Sequence, residues 1–159
     1  MSSDWQFRHE DLRGPEIQAL LQEHLAQLRS ITPPGSTHAM TLERLREPDI
    51  QLWSLWEGGA LLGCGGLKRL GSHDGEVKSM RTAALAQRRG VARAVLAHLK
   101  AYAQRQGMQR LWLETGASEY FLPARKLYES SGFVACGPFG SYGEDSNSAF
   151  MRLDLAARI

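Results

Sequence analysis

The sequence predicts a mixed α/β fold, a twisted sheet with helices on both faces, and three observations carry that prediction. Strand-spaced and helix-spaced apolar runs follow one another in the order β-α-α-β-β-β-α-β-α-β-β. At the centre, Val77 to Thr82, the helical stripe from Val91 and the run Arg110 to Thr115 form a strand–helix–strand unit, which closes as a right-handed parallel crossover. Ile50 to Glu57 and Ala60 to Leu70, joined by Gly58-Gly59, read as an antiparallel hairpin with a tight glycine turn.

Taken in order, Trp5 to His9 is a short first strand. Pro15 suits a helix start, and Ile17, Leu20, Leu21, His24, Leu25 and Leu28 fall on one helical face. His24 on that face is either a hydrogen-bonded, half-buried histidine or a substrate contact. Residues 32–36, TPPGS, break the helix. Thr41 caps a short helix through Arg46 that Pro48 stops. After the hairpin and a turn at residues 71–75, the central strand leads through the connector Ala83 to Gln87 into Arg88-Arg89-Gly90. Ala92, Val95, Leu96, Leu99, Tyr102 and Ala103 then mark one helical face, which Gly107 ends. Pro123 opens the last helix, with Ala124, Leu127, Tyr128 and Ser131 on one side and Gly132 as a left-handed cap. Phe133 to Cys136 and Phe150 to Leu155 are the final strands, separated by a long polar loop, residues 137–147, of the kind that often lines a site.

A strand feeding a glycine loop and a helix start is an anion cradle, because successive N–H groups and the positive end of the helix dipole face the ligand. No Lys-Ser or Lys-Thr follows Gly90, so this is not a nucleotide P-loop. Gly63, Gly65 and Gly66 precede no helix and make no dinucleotide fingerprint. The cluster Arg81, Arg88, Arg89 and Arg93 suits a polyphosphate, whereas a net charge of +2 gives no argument for nucleic acid. The four tryptophans are too scattered to make a base-stacking platform.

At 159 residues the chain is expected to be a single domain, residues 1–159. Cys64 and Cys136 have no C-x-x-C spacing and read as reduced thiols of a cytoplasmic protein. No signal peptide precedes Trp5, and no apolar run approaches the ~20 residues that span a bilayer. The five histidines have no metal-ligand spacing, so no metal is expected.

Gln87-x-x-Gly90-x-Ala92 resembles the pyrophosphate loop of the GNAT N-acetyltransferases, and Ala124-x-x-Leu127-Tyr128-x-x-x-Gly132-Phe133 resembles their later motif. EVKSMRT, LETG, CGPFGSY and NSAFM are similar to a subgroup of small bacterial members, the YsnE-like proteins. The resemblance implies the GNAT fold: six to seven strands, helices on both faces, and acetyl-CoA as co-substrate in a wedge between two splayed parallel strands. Backbone groups of Met80 and Thr82, flanking Arg81, would pair with the pantetheine arm. Amides of Arg88, Arg89, Gly90, Val91, Ala92 and Arg93 would hold the pyrophosphate, with the Arg88 side chain left for the adenosine phosphate. A backbone N–H on the first wedge strand would polarise the thioester, an interaction worth about 2.7–4 kcal/mol in the transition state. Many relatives carry Asn where this chain has Phe121, which leaves Thr115, Ser118 or backbone alone to hold the arm.

In that frame Tyr128 is the general acid for the leaving thiolate; outside it, the same residue reads as a core tyrosine. The acceptor is a small-molecule amine, amino-acid-like if a carboxylate meets Lys68, Lys78 or Arg81, with a peptide amine as the other option. An alkyl amine of pKa ~10.4 must lose about 3.4 units, ~4.6 kcal/mol, to be neutral at pH 7, so a base or desolvation is needed. Glu76 through a water is the first candidate, against a solvated strand end. Glu114 follows, unless it pairs with Arg81 or Lys78, and then His24 and His38 on the acceptor side. The competing readings are a non-catalytic acyl-CoA-binding sensor and a nucleotide-phosphate enzyme. A homodimer through sheet edges, common in the family, is one of the assemblies open to the chain.

Overall fold

The computed structural model describes residues 4–33, 35 and 40–155. Seven strands form one sheet: β1 (Trp5–His9), β2 (Ile50–Glu57), β3 (Ala60–Arg69), β4 (Asp74–Thr82), β5 (Arg110–Gly116), β6 (Val134–Cys136) and β7 (Ser148–Asp154). Among the described residues four α-helices accompany them: α1 (Pro15–Ile31), α2 (Leu42–Leu45), α3 (Val91–Arg105) and α4 (Leu122–Ser130). The spatial order is β1-β2-β3-β4-β5-β7-β6, antiparallel throughout except between β4 and β5. The element order is the one the apolar periodicity predicts. No helix among the described residues is long and apolar enough to cross a membrane.

The helices divide between two cores. Ile17, Leu20 and Leu21 of α1 and Leu45 of α2 pack with Ile50, Leu52 and Cys64 on one face. Val91, Val95, Leu96, Leu99 and Ala103 of α3 pack with Tyr128, Phe133, Leu111 and Leu113 on the other. Prolines at the first turns of α1 and α4 cost nothing there, since those N–H groups have no partner in any helix. Thr41 caps α2 by accepting a hydrogen bond from the Arg44 amide, as its sequence position implies.

Two features of β3 and β4 set the position of the site. A methyl group on Gly65 would lie 2.6 Å from both Met80 Sδ and Val95 Cγ1, so the missing side chain lets α3 settle directly on the sheet. Gly63, whose Cβ would meet Val91, and Gly65 are thus contact points for the helix, while Gly66 lies against Leu52 and Gln51 of β2. Gly65→Val is expected to cost about 1–3 kcal/mol by overpacking, measured by urea unfolding. Gly71→Ala, with open space around it, should stay within about 0.5 kcal/mol of the parent.

The second feature is a bulge in β4. Cys64 pairs with Arg81 and Gly66 with Lys78, so two residues of β4, Ser79 and Met80, stand opposite Gly65 alone. Ser79 takes φ +57°, and the extra residue breaks the in–out alternation of the strand. Val77 and Met80, three apart, both pack into the α3 core. Arg81 turns to the opposite face and meets Glu23 of α1.

Candidate active site

β4 and β5 pair in parallel over only three positions, Asp74↔Arg110, Gly75↔Leu111 and Glu76↔Trp112. Beyond them β5 keeps β7 as a partner through Gly116, and β4 keeps β3 through Thr82, but the two no longer pair with each other. The wedge leaves main-chain donors and acceptors of β4 facing open space. A cavity of about 520 Å³ occupies it.

At one end of this cavity lies the start of α3. Gly90 is its N-cap at φ +81°, with no side-chain cap, and no acidic residue sits in the first turn. Arg88 is also left-handed, at φ +64°. A side chain rarely holds that conformation without help from its surroundings. Gly90, Val91, Ala92 and Arg93 line the cavity, so the leading amides of α3, which no helix can satisfy internally, point toward a ligand site.

Tyr128 lines the same cavity from α4. Its ring packs edge-on against Phe133 at 5.7 Å, and burial pushes its phenol well above the usual value of ten. The group is therefore protonated throughout the physiological range.

Glu76 is 3% exposed, which corrects the view of it as a solvated strand end. It belongs to a closed triangle. Lys78 Nζ donates to Glu76 Oε2 at 3.1 Å and to Tyr142 Oη at 3.0 Å, and Tyr142 Oη donates to Glu76 Oε2 at 2.7 Å. Tyr142 arrives from the loop at residues 137–147, which Phe139 folds back through ring contacts with Trp112 at 5.4 Å and Phe150 at 5.8 Å. Burial and the Glu76 carboxylate drive the Tyr142 phenol far above its ordinary value. Glu114, a second carboxylate on the cavity wall, accepts from Ser148 Oγ at 2.7 Å.

The four arginines grouped by the sequence part company here. Arg81 bonds Glu23 at 2.7 Å. Arg89 pairs with Glu57 at 3.0 Å and lies over Trp5, at the far side of the loop and away from the cavity lining. Arg88 and Arg93 remain beside the helix start. Met80, Arg81, Thr82, Glu114 and Thr115 also line the cavity; His38 lies outside the described residues.

His24 faces the cavity from α1. Burial, helped by the Arg81 charge, lowers its pKa to about 4. Its Nδ1 and Arg81 Nε are buried without a hydrogen-bond partner among the described residues, a state that costs roughly 1–3 kcal/mol per group. An unfolded histidine near 6.5 binds a proton that the folded one refuses until about pH 4. Stability is therefore full above pH 6.5 and falls by about 3 kcal/mol as pH drops toward 4. His24→Asn should flatten that slope in urea unfolding between pH 4 and 6.5.

Phe121 closes the cavity wall over Gly116, where a Cβ would fall 1.9 Å from the ring. Arg125 fixes the adjoining turn by donating to the carbonyls of Gly116 at 2.7 Å and Ser118 at 2.9 Å. Cys64 is buried, donates to the Ser79 carbonyl at 3.3 Å, and has its thiol pushed up to about 12, which leaves no thiolate for covalent catalysis. No group of three or more metal-binding side chains occurs among the described residues.

A wedge opened by splayed parallel strands, with a bare helix start at one end and a protonated phenol at the other, fits an acyl-group transferase with a phosphorylated donor. Residues 17–133 match the acetyltransferase (GNAT) family, and the chain belongs to it. It is 53% identical over 146 residues to the uncharacterized N-acetyltransferase YsnE of Bacillus subtilis, covering 92% of this chain and 97% of that one. Identity to the uncharacterized N-acetyltransferase YedL of Escherichia coli is 43%, over 92% of each chain. A GNAT family acetyltransferase from Elizabethkingia anophelis, crystallised with acetyl-CoA bound, has the same fold with a TM-score of 0.67. That match, at 16% identity, spans 97% of this chain and 100% of the other. The family and its YsnE-like branch, expected from the motifs, are thus both found.

Proposed function

We propose that this protein transfers the acetyl group of acetyl-CoA to the primary amine of a small molecule by direct attack. The observation that carries the reading is the continuity of one cavity from the uncapped amides at Gly90–Arg93 to the ring of Tyr128. A diphosphate satisfies those amides, an extended pantetheine arm takes the place of a strand along the free edge of β4, and the thioester comes to rest beside the phenol. Arg88 and Arg93 supply the cations at the phosphate end, while Arg89, engaged with Glu57, contributes its main chain.

The amine nitrogen bonds to the thioester carbon as the carbon–sulfur bond breaks and its electron pair leaves on sulfur. Tyr128 gives its proton to that sulfur, and the proton lost by nitrogen refills the phenol, so the products are an amide and a neutral thiol. Because burial raises the phenol above ten and a thiol sits near 8.5, transfer to a free thiolate is uphill. The phenol acts most strongly as a hydrogen-bond donor while charge builds on sulfur. Glu76 accepts the proton that an incoming ammonium must first lose, through a water, with Tyr142 and Lys78 holding its carboxylate in place.

The test is a panel of amines and free amino acids, with release of the CoA thiol followed over time. Amine-dependent release with formation of the acetamide supports the reading. Acetyl-CoA binding with no release for any amine would leave only a sensor.

A further inference from the structure

We infer that the wall of the cavity formed by α1 and β4 is a carboxylate subsite, in which Arg81 and His24 hold an acid group of the acceptor. This rests on the transferase reading above and narrows its acceptor to amines that also carry a carboxylate. Two buried polar atoms on that wall have no partner among the described residues, Arg81 Nε and His24 Nδ1. They belong to neighbouring elements, both side chains line the cavity, and their charges are close enough for Arg81 to oppose protonation of His24.

The remaining cations near the site are committed or distant. Lys78 is bound to Glu76 and Tyr142 within the buried triangle. Lys68, opposite Glu76 on β3, is not part of the cavity lining. Among the described residues the Arg81 side chain has one ion-pair partner, Glu23, whose side chain is 55% exposed, and a rim pair of that kind holds an arginine weakly. Its Nε–H is left for a charge-assisted bond to a carboxylate oxygen. The second oxygen accepts from His24 in the tautomer that carries its proton on Nδ1. Leu28 and Met40 on the same wall offer apolar surface to its side chain.

The test compares free amino acids, as a panel, with the primary amides of the same amino acids, at fixed acetyl-CoA. The carboxylate members should exceed their amides by roughly 10- to 100-fold in kcat/KM, and Arg81→Gln should collapse the acid-to-amide ratio to below about threefold. Amides that match the acids in the parent protein overturn the subsite without recourse to any variant, as does a ratio that survives Arg81→Gln. If no amino acid is acetylated while acetyl-CoA still raises the melting temperature, the subsite falls and the donor site stands. If acetyl-CoA also fails to bind, the transferase reading itself is wrong.

Discussion

Tyr128→Phe is expected to lower kcat about 100- to 1,000-fold while leaving acetyl-CoA affinity within about threefold of the parent. The ring stays in place, because its edge contact with Phe133 and its burial among α4 and α3 residues do not involve the hydroxyl. In the proposed mechanism what is lost is the donor at sulfur, an interaction made only as the carbon–sulfur bond breaks, so the effect falls on kcat and not on binding. Calorimetry for affinity and steady-state kinetics for turnover separate the two. An acyl-CoA sensor would show equal binding and no turnover to lose. Since burial holds the phenol above ten, no limb of the neutral-pH rate profile belongs to it, and any acidic limb reports the base or the amine.

Ala92→Glu should act with opposite signs on the free and the liganded protein. Without ligand, a carboxylate in the first turn of α3 meets the positive end of the helix and stabilises it by about 0.3–1 kcal/mol. In the proposed complex, the same carboxylate would lie against the diphosphate and fill the amides it requires. Acetyl-CoA affinity should fall at least 100-fold, which is about 2.7 kcal/mol. Thermal melting of the free protein and calorimetric titration measure the two halves. A variant both less stable and equally tight would place the phosphates elsewhere.

The sequence made the elements legible where local chemistry is strong. Gly58-Gly59, the prolines opening α1 and α4, and the period change at Val91 carry their meaning in a few residues. The proposed donor end of the candidate site could be picked out for the same reason, since a loop and a helix start are contiguous in sequence. Features assembled from distant segments were not. Nothing around Ser79 announces a left-handed residue in a strand, yet that bulge decides that Arg81 faces α1. The arginines looked like one cluster because they are neighbours in sequence; Glu57 of β2 and Trp5 of β1 draw Arg89 away. Tyr142 lies 66 residues from Glu76, and the folding of its loop, packed through Phe139 on Trp112 and Phe150, brings it there. The loop was visible as a candidate for lining the site and Glu76 as a candidate base, whereas the contact between them was not.

The most direct measurement is a titration of acetyl-CoA into amide-labelled protein, with each backbone N–H followed by magnetic resonance. The largest shifts should fall on Gly90 to Arg93 and on β4 beyond Glu76, with β1 and β6 almost unmoved. Saturable binding that leaves Gly90 to Arg93 unshifted would contradict the account.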